Sequence, residues 1–313
     1  MDWLDQQAQV LLPIPYFHLV FTLPHELNPL IQQNRARLYD RLFDTASATL
    51  LEFGQNHLHA QIGVTAVLHT WSQTLLDHYP LHGIVTGGGL RPDGGWQNAS
   101  RYWLFPVRAL AKVFRGKFRD GLRQLDAEGK LEFHGPLQSR AQPRPFEQGV
   151  QRACGKNRVV YAKRPFAGPE TVLAYLSRYT PRVGITHRRL LALDAPAQTV
   201  TLAYKDYADP SRKKTLTLAL SEFPRRFRLH LLPERFVKIR HYGLLANRHR
   251  HARIAQARAA LPRRSRQVKP IPQRPAATAT TWPIGPHCRQ PALIPLRVTR
   301  APKHAPPPYA DSS

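Results

Sequence analysis

Two β-rich runs in the first third of the chain constrain its architecture most. Ile62-Gly-Val-Thr-Ala-Val-Leu-His69-Thr-Trp71 reads as one strand, and Leu81-His82-Gly-Ile-Val-Thr86 as the next, closed by Gly87-Gly88-Gly89. Consecutive strands joined by a short connection pair antiparallel. Residues 10–23 end in a third β-rich run, Tyr16-Phe-His-Leu-Val-Phe21. Leu38, Leu42, Ala46 and Leu50 recur at helical spacing and predict an amphipathic helix over residues 28–54. A basic helix is expected over 104–128, a proline-containing loop over 134–148 and a strand around Val159. Strand-like stretches follow near 183–193, 198–204 and 214–220, then a helical basic segment from about 221 to 260. The expected class is α+β, an antiparallel sheet flanked by helices.

The divisions expected are a core over 1–220, a basic helical segment over 221–261 continuous with it, and a tail over 262–313. That tail holds 12 prolines and nine lysines or arginines against a single acid, Asp311, a composition that favours disorder.

Charge narrows the partner. Lysine and arginine total 46 against 20 acids, a formal net charge of +26, and 35 of the 46 are arginine. Such a balance fits a polyanion, and guanidinium groups fit phosphate bidentately. Only Cys154 and Cys288 occur, too few for a disulfide framework or a cysteine-rich zinc site. No apolar run reaches the ~20 residues that span a bilayer, and the first residues lack a signal-peptide layout, so a cytoplasmic protein without membrane contact is expected.

Three constellations carry chemistry. In Gly168-Pro-Glu-Thr-Val-Leu-Ala-Tyr175-Leu-Ser-Arg178-Tyr179-Thr-Pro181, Pro169 and Glu170 suit a helix start and Pro181 a stop. Residues i and i+4 are helix neighbours, so Tyr175 and Tyr179 point the same way, with Arg178 and Arg182 close by. A phenol can act as a covalent nucleophile, although core aromatics at this spacing are the commoner case. The second constellation is His82 on a strand before a glycine run, with His69 on the neighbouring strand; a lone strand histidine is usually structural. The third spans residues 225–264, where 12 lysines or arginines face one acid, Glu234, with Phe227, Phe236 and Tyr242 interleaved. Phosphate contacts plus stacking aromatics are what single-stranded nucleic acid requires. Arg225, Arg226, Arg240, His241, Asn247, Arg248 and Arg250 are its candidate contacts.

These blocks, in this order, resemble the rolling-circle insertion-sequence transposases with paired catalytic tyrosines, members of the His-hydrophobic-His group of DNA nickases. The resemblance runs from about residue 3 to 255. It rests on Leu11-Leu-Pro-Ile-Pro-Tyr-Phe-His-Leu-Val-Phe-Thr-Leu-Pro24, Val67-Leu-His-Thr-Trp71, Leu81-His-Gly-Ile-Val-Thr-Gly-Gly-Gly89, Val159-Val-Tyr-Ala-Lys163, Ala174-Tyr-Leu-Ser-Arg-Tyr-Thr180, Tyr204-Lys-Asp-Tyr207 and Ile239-Arg-His-Tyr-Gly-Leu-Leu-Ala-Asn-Arg248. It implies DNA transposition through nicking and joining of single-stranded DNA at element ends, by way of a 5′-phosphotyrosine at Tyr175 or Tyr179. It further implies a divalent cation, Mg²⁺ or Mn²⁺, and no nucleotide cofactor.

The chain departs from that family. The expected pair of histidines about a hydrophobic residue reads Pro80-Leu81-His82. Strand residues i and i+2 share a face about 6.6 Å apart, which lets two rings reach one ion; Pro80 brings no ligand. His78 stands roughly 13 Å from His82 along a regular strand. By count, His69 takes the place of a further histidine found in related relaxases. Pro181 and His187 stand where His and Asn are expected, and a cysteine-rich zinc-binding segment before the core is missing. The resemblance therefore implies an N-terminally truncated, partly degenerate copy with a weakened metal site held by His82 and His69. A non-catalytic single-stranded DNA-binding remnant is the alternative.

Overall fold

The computed structural model describes residues 3–100, 104–155, 160–166, 168–179, 185–205 and 213–262. Its elements in chain order are α1 (Trp3–Val10), β1 (Tyr16–Phe21), α2 (Asn28–Gln33), α3 (Arg35–Leu58), β2 (Gln61–Leu68), β3 (Leu81–Leu90), β4 (Trp96–Asn98), α4 (Val107–Ala127) and α5 (Pro143–Cys154). Then come β5 (Val160–Phe166), α6 (Pro169–Tyr179), β6 (Leu190–Asp194), β7 (Thr199–Lys205), β8 (Lys213–Ala219), α7 (Glu222–Arg228), β9 (Ile239–Gly243) and α8 (Arg250–Ala260). The tail from 263 onward, expected to be disordered, lies outside the described residues, as does Arg182.

The main sheet runs β5-β1-β3-β2-β9, with β4 added to β3, and all its pairings are antiparallel. The α+β expectation holds. Opposite residues of an antiparallel pair share a face, so the register defines both surfaces. One row reads Tyr161–Val20–His82–Val67–Ile239 and the next Lys163–His18–Ile84–Thr65–His241. The other surface carries Leu19, Phe21, Leu81, Val85, Val64, Ala66 and Leu68. These pack with Leu42, Phe43 and Leu50 of α3 and with Phe114 and Phe118 of α4, all buried. Phe21 and Phe114 meet with ring centroids 4.9 Å apart. This apolar face anchors the fold, and the face bearing His18 and His82 is left for α6, α1 and α8.

Local departures from the sequence reading have identifiable causes. The helix expected over 28–54 is broken at Asn34, whose φ of −121° and ψ of 37° are not helical. Its side chain is held by Leu30 and Glu132 carbonyls. The prolines near 143 start a helix rather than a loop, because proline suits the first turn where its missing N–H costs nothing. The segment over 221–260 is not one helix. Residues 239–243 form β9, paired with β2, so this basic stretch builds an edge of the main sheet. A separate sheet, β6-β7-β8, closes over Leu75, Val200, Leu202 and Leu218.

The glycine run is strand, not turn. Between Ile62↔Gly89 and Val64↔Val85 the β2–β3 register shifts. Thr86 fills the irregularity, its Oγ1 accepting from Gly63 N at 2.9 Å and donating to Gly88 O at 2.6 Å. A Cβ on Gly88 would stand 2.4 Å from Gln97 O. Gly88→Ala should therefore force the β3–β4 backbones apart, lowering stability by about 1–3 kcal/mol in a chemical denaturation curve.

Candidate functional site

Three imidazoles and a phenol meet on the sheet face opposite α3. His18 comes from the middle of β1, where alternation puts it two residues from Val20, the partner of His82. Its Nε2 lies 2.9 Å from His82 Nδ1, a histidine–histidine hydrogen bond whose donor depends on the tautomer. His69 follows β2 directly. Its ring centroid is 4.2 Å from that of His82, and its backbone N donates to Pro80 O at 3.0 Å. That bond holds His69 beside the start of β3 and gives Pro80 a structural use, as an acceptor. His18 and His69 are 3% and 6% exposed. His78 lies before the strand and is exposed, so no bulge brings it beside His82.

The phenol is Tyr175. Gly168 and Pro169 open α6, and Val172 and Leu176 bury its inner face against Val10, Leu12, Val67 and Ile84. That docking turns Tyr175 onto the histidines. Its ring lies edge-on to His18 at 4.8 Å, and 6.2 Å from His82. Phe166 stacks on His18 at 5.5 Å and closes the other side. Tyr179 ends the same helix; its side chain and that of Arg178 lie outside what the structure describes. His187, likewise, is described only in its backbone.

Of the candidates marked by the sequence, the fold brings together His82, His69 and Tyr175. His18 is not among those candidates. The available signal was a polar residue inside an otherwise apolar six-residue strand, a position that calls for a buried partner.

A divalent cation can be tested against these donors. Among the described residues no set of three His, Cys, Asp or Glu is placed to hold a metal ion. His69 and His82 are close enough to act as two imidazole ligands, which fits an ion that takes its remaining ligands from water or substrate oxygens. It does not fit a closed structural site.

Several basic candidates have protein partners. Arg225 and Arg226 both hold Glu222, whose carboxyl is pushed down to about 2 by those hydrogen bonds, Arg225 first. Arg240 pairs with Asp40 and lies over Phe43 and Phe236, 4.3 and 5.0 Å from the ring centroids. His241 faces Thr65, Nδ1 to Oγ1 3.1 Å, inside the sheet. Asn247 and Arg248 are exposed at the start of α8, while Arg250 is half-buried and acts electrostatically on His241.

The Y2_Tnp family, described as "Putative transposase", matches residues 63–253, which span β2, β3, α6 and β9. The chain belongs to the Y2_Tnp transposase family. Relatives include "Putative transposase y4qJ" of Sinorhizobium fredii (strain NBRC 101917 / NGR234), 42% identical over 82% of this chain and 65% of that protein. The transposase for insertion sequence element IS801 of Pseudomonas savastanoi pv. phaseolicola is 29% identical over 79% of this chain and 58% of its own length. The chain thus spans less than two thirds of either transposase. A solved structure, the conjugative relaxase TrwC in complex with mutant OriT DNA, aligns over 54% of this chain and 74% of its own at 15% identity, with a TM-score of 0.30. Among the described residues no helix is long and apolar enough to cross a membrane.

Burial of His241, then the charge of Arg250, lower its pKa from 6.5 to about 4. The folded state therefore resists protonation where the unfolded chain accepts it. Stability from this group is fully present above the unfolded pKa near 6.5 and is lost as pH falls toward 4, to a limit of roughly 3 kcal/mol. His241→Gln should flatten the stability-versus-pH curve in that window, measured by urea unfolding at successive pH values.

Proposed function

We propose that this chain carries the strand-cleaving core of a DNA transposase and that Tyr175 is its first nucleophile. The observation that supports this best is the seating of Tyr175 against the buried His18 and the partly buried His82 on a sheet face, in a chain of net charge +26. Tyr175 Oη attacks the phosphorus of a single-stranded DNA phosphodiester and gives up its proton. The bond from phosphorus to the 3′ oxygen breaks, that oxygen takes up a proton, and the 5′ phosphate remains as a tyrosine ester. Attack by another 3′ hydroxyl reverses the step and joins strands. No nucleotide cofactor is required, because the ester keeps the energy of the original linkage. Tyr179, one turn along α6, serves a second cleavage.

His82 and His69 are the residues that would hold a Mg²⁺ or Mn²⁺ ion, whose contribution is to polarise the scissile phosphate. His18 acts through His82. When His82 Nδ1–H donates to His18 Nε2, His82 Nε2 is left unprotonated and can act as a ligand, the usual way a second group fixes an imidazole's tautomer. Strand phosphates are met by Asn247, Arg248 and Arg250, and Arg178 and Arg182, close to the tyrosines in sequence, contribute further cations. Arg225, Arg226 and Arg240 support that surface through their protein partners and add to its positive potential, while His241, neutral near pH 7, supports it through Thr65. The protein acts as a soluble one in the cytoplasm on the ends of its element.

Tyr175→Phe together with Tyr179→Phe should abolish a covalent adduct with a single-stranded oligonucleotide in a denaturing gel, while anisotropy shows nearly unchanged noncovalent binding. Adducts surviving in the double variant would remove both tyrosines from the reaction. Tight binding with no adduct in the unsubstituted chain would leave a binding remnant.

Changes around His82 should be graded. His82→Ala should remove nicking. His18→Phe should weaken Mn²⁺ binding about 10–100-fold, as losses beside a ligand do, and His18→Gln, which keeps an acceptor, should weaken it less. Pro80→His adds an imidazole on the same face and should tighten Mn²⁺ binding, read by electron paramagnetic resonance. Equal affinity in a folded Pro80→His protein would mean that position never faced the ion.

A further inference from the structure

A cavity of about 480 Å³ lies beside the loop that carries His69, outside the tyrosine site, and three guanidinium groups line it. Arg35 enters from the start of α3, and Arg225 and Arg228 from α7. The remaining wall is apolar: Leu229, Leu231, Leu232 and Pro233. No acid is among the lining residues. Glu222 occupies Arg225 through both its oxygens, so Arg35 and Arg228 remain. Asp77 acts on Arg225 from a distance, but its own carboxylate already accepts from Gln32.

On Arg35, one terminal nitrogen donates to Leu231 O at 3.3 Å, and no carboxylate lies within ion-pair distance among the described residues. Arg228 is exposed and has no carboxylate within ion-pair distance among the described residues. The volume falls within the range of small-ligand sites, and Arg over an apolar wall suits a group that is anionic at one end and flat and weakly polar at the other.

The cavity is tied to the histidine cluster. His69 stacks on Trp71 at 5.7 Å, and Trp71 meets His230 edge-on at 6.4 Å. His230 bonds Leu75 O at 3.0 Å, and Thr70, next to His69, donates to His230 O at 3.5 Å. The residues either side of His230 are the cavity wall.

We infer that this cavity holds one nucleotide of the bound single strand, flanking the one cleaved. Its phosphodiester sits on Arg35 and Arg228, and its base or sugar lies on the leucine and proline wall. This rests on the strand-cleaving reading, but its test needs only noncovalent binding.

The full chain is titrated with a short fluorescent single-stranded oligonucleotide at several salt concentrations, for the unsubstituted protein, Arg228→Gln, Arg35→Gln and both together. Lys117→Gln, a charge change on α4, sets the effect of losing one cation at random. Losing both guanidinium groups removes the contact to that one phosphate and should flatten the log K versus log salt slope by roughly 0.7, and weaken binding by tenfold or more. Inorganic phosphate should raise the melting temperature of the unsubstituted protein and not of the double variant. An abasic unit walked along the oligonucleotide should cost affinity at one position for the unsubstituted protein and nothing there for the double variant.

An unchanged slope in a folded double variant overturns the inference. Phosphate stabilisation with no abasic-sensitive position overturns the nucleotide and leaves an anion site alone. If Arg35→Gln does not fold, the exposed Arg228→Gln alone decides, with the slope flattened by up to roughly 0.7. Missing covalent adducts would count against the tyrosine chemistry and not against this site.

Discussion

The pairing of β1 with β3 is the constraint on which the rest of the molecule depends. Val20 opposite His82 fixes a register in which every second residue of both strands faces α3 and α4 and the others face α6. A slip of β1 by one residue would send His18 into the aromatic core and Leu19 and Phe21 out of it. The cost of exposing those apolar side chains, on the order of 2 kcal/mol each, far exceeds what a polar cluster supplies. Apolar packing on one face thus sets the geometry of the polar groups on the other. Gly87, Gly88 and Gly89 leave no room for a side chain, which lets Pro15, β4 and β2 approach β3 closely.

Much of this was legible because it is local. The β2 and β3 runs, the proline-started tyrosine helix and the long helix near 35–58 each carry their own periodicity or punctuation. His69 and His82 were legible because their strands are neighbours in sequence. His18 was not, since its partner lies 64 residues away and only strand order brings them together. The stretch near 239–243 misled for the same reason: basic residues hide a strand whose partner, β2, is far upstream.

Arginine content gave the right sign of charge but not its distribution. Acids are scarce in this chain, and where one occurs it tends to gather arginines, as Glu222 and Asp40 do. A guanidinium held by a carboxylate and aromatic rings, like Arg240, is a structural part first. The cations without such partners, at the start of α8 and around the cavity near α7, cannot be told from the others by composition. Only the fold separates them.

The placement of β1 also fixes when the molecule can exist during its own synthesis. Strand β1 sits between β3 and β5, so it stays half-paired until residue 166 has emerged, and the main sheet gains its far edge only with residues 239–243. Pairings this distant in sequence form slowly. The nascent chain therefore carries a long-lived open strand edge, and no partial product shorter than α6 contains Tyr175 against its histidines.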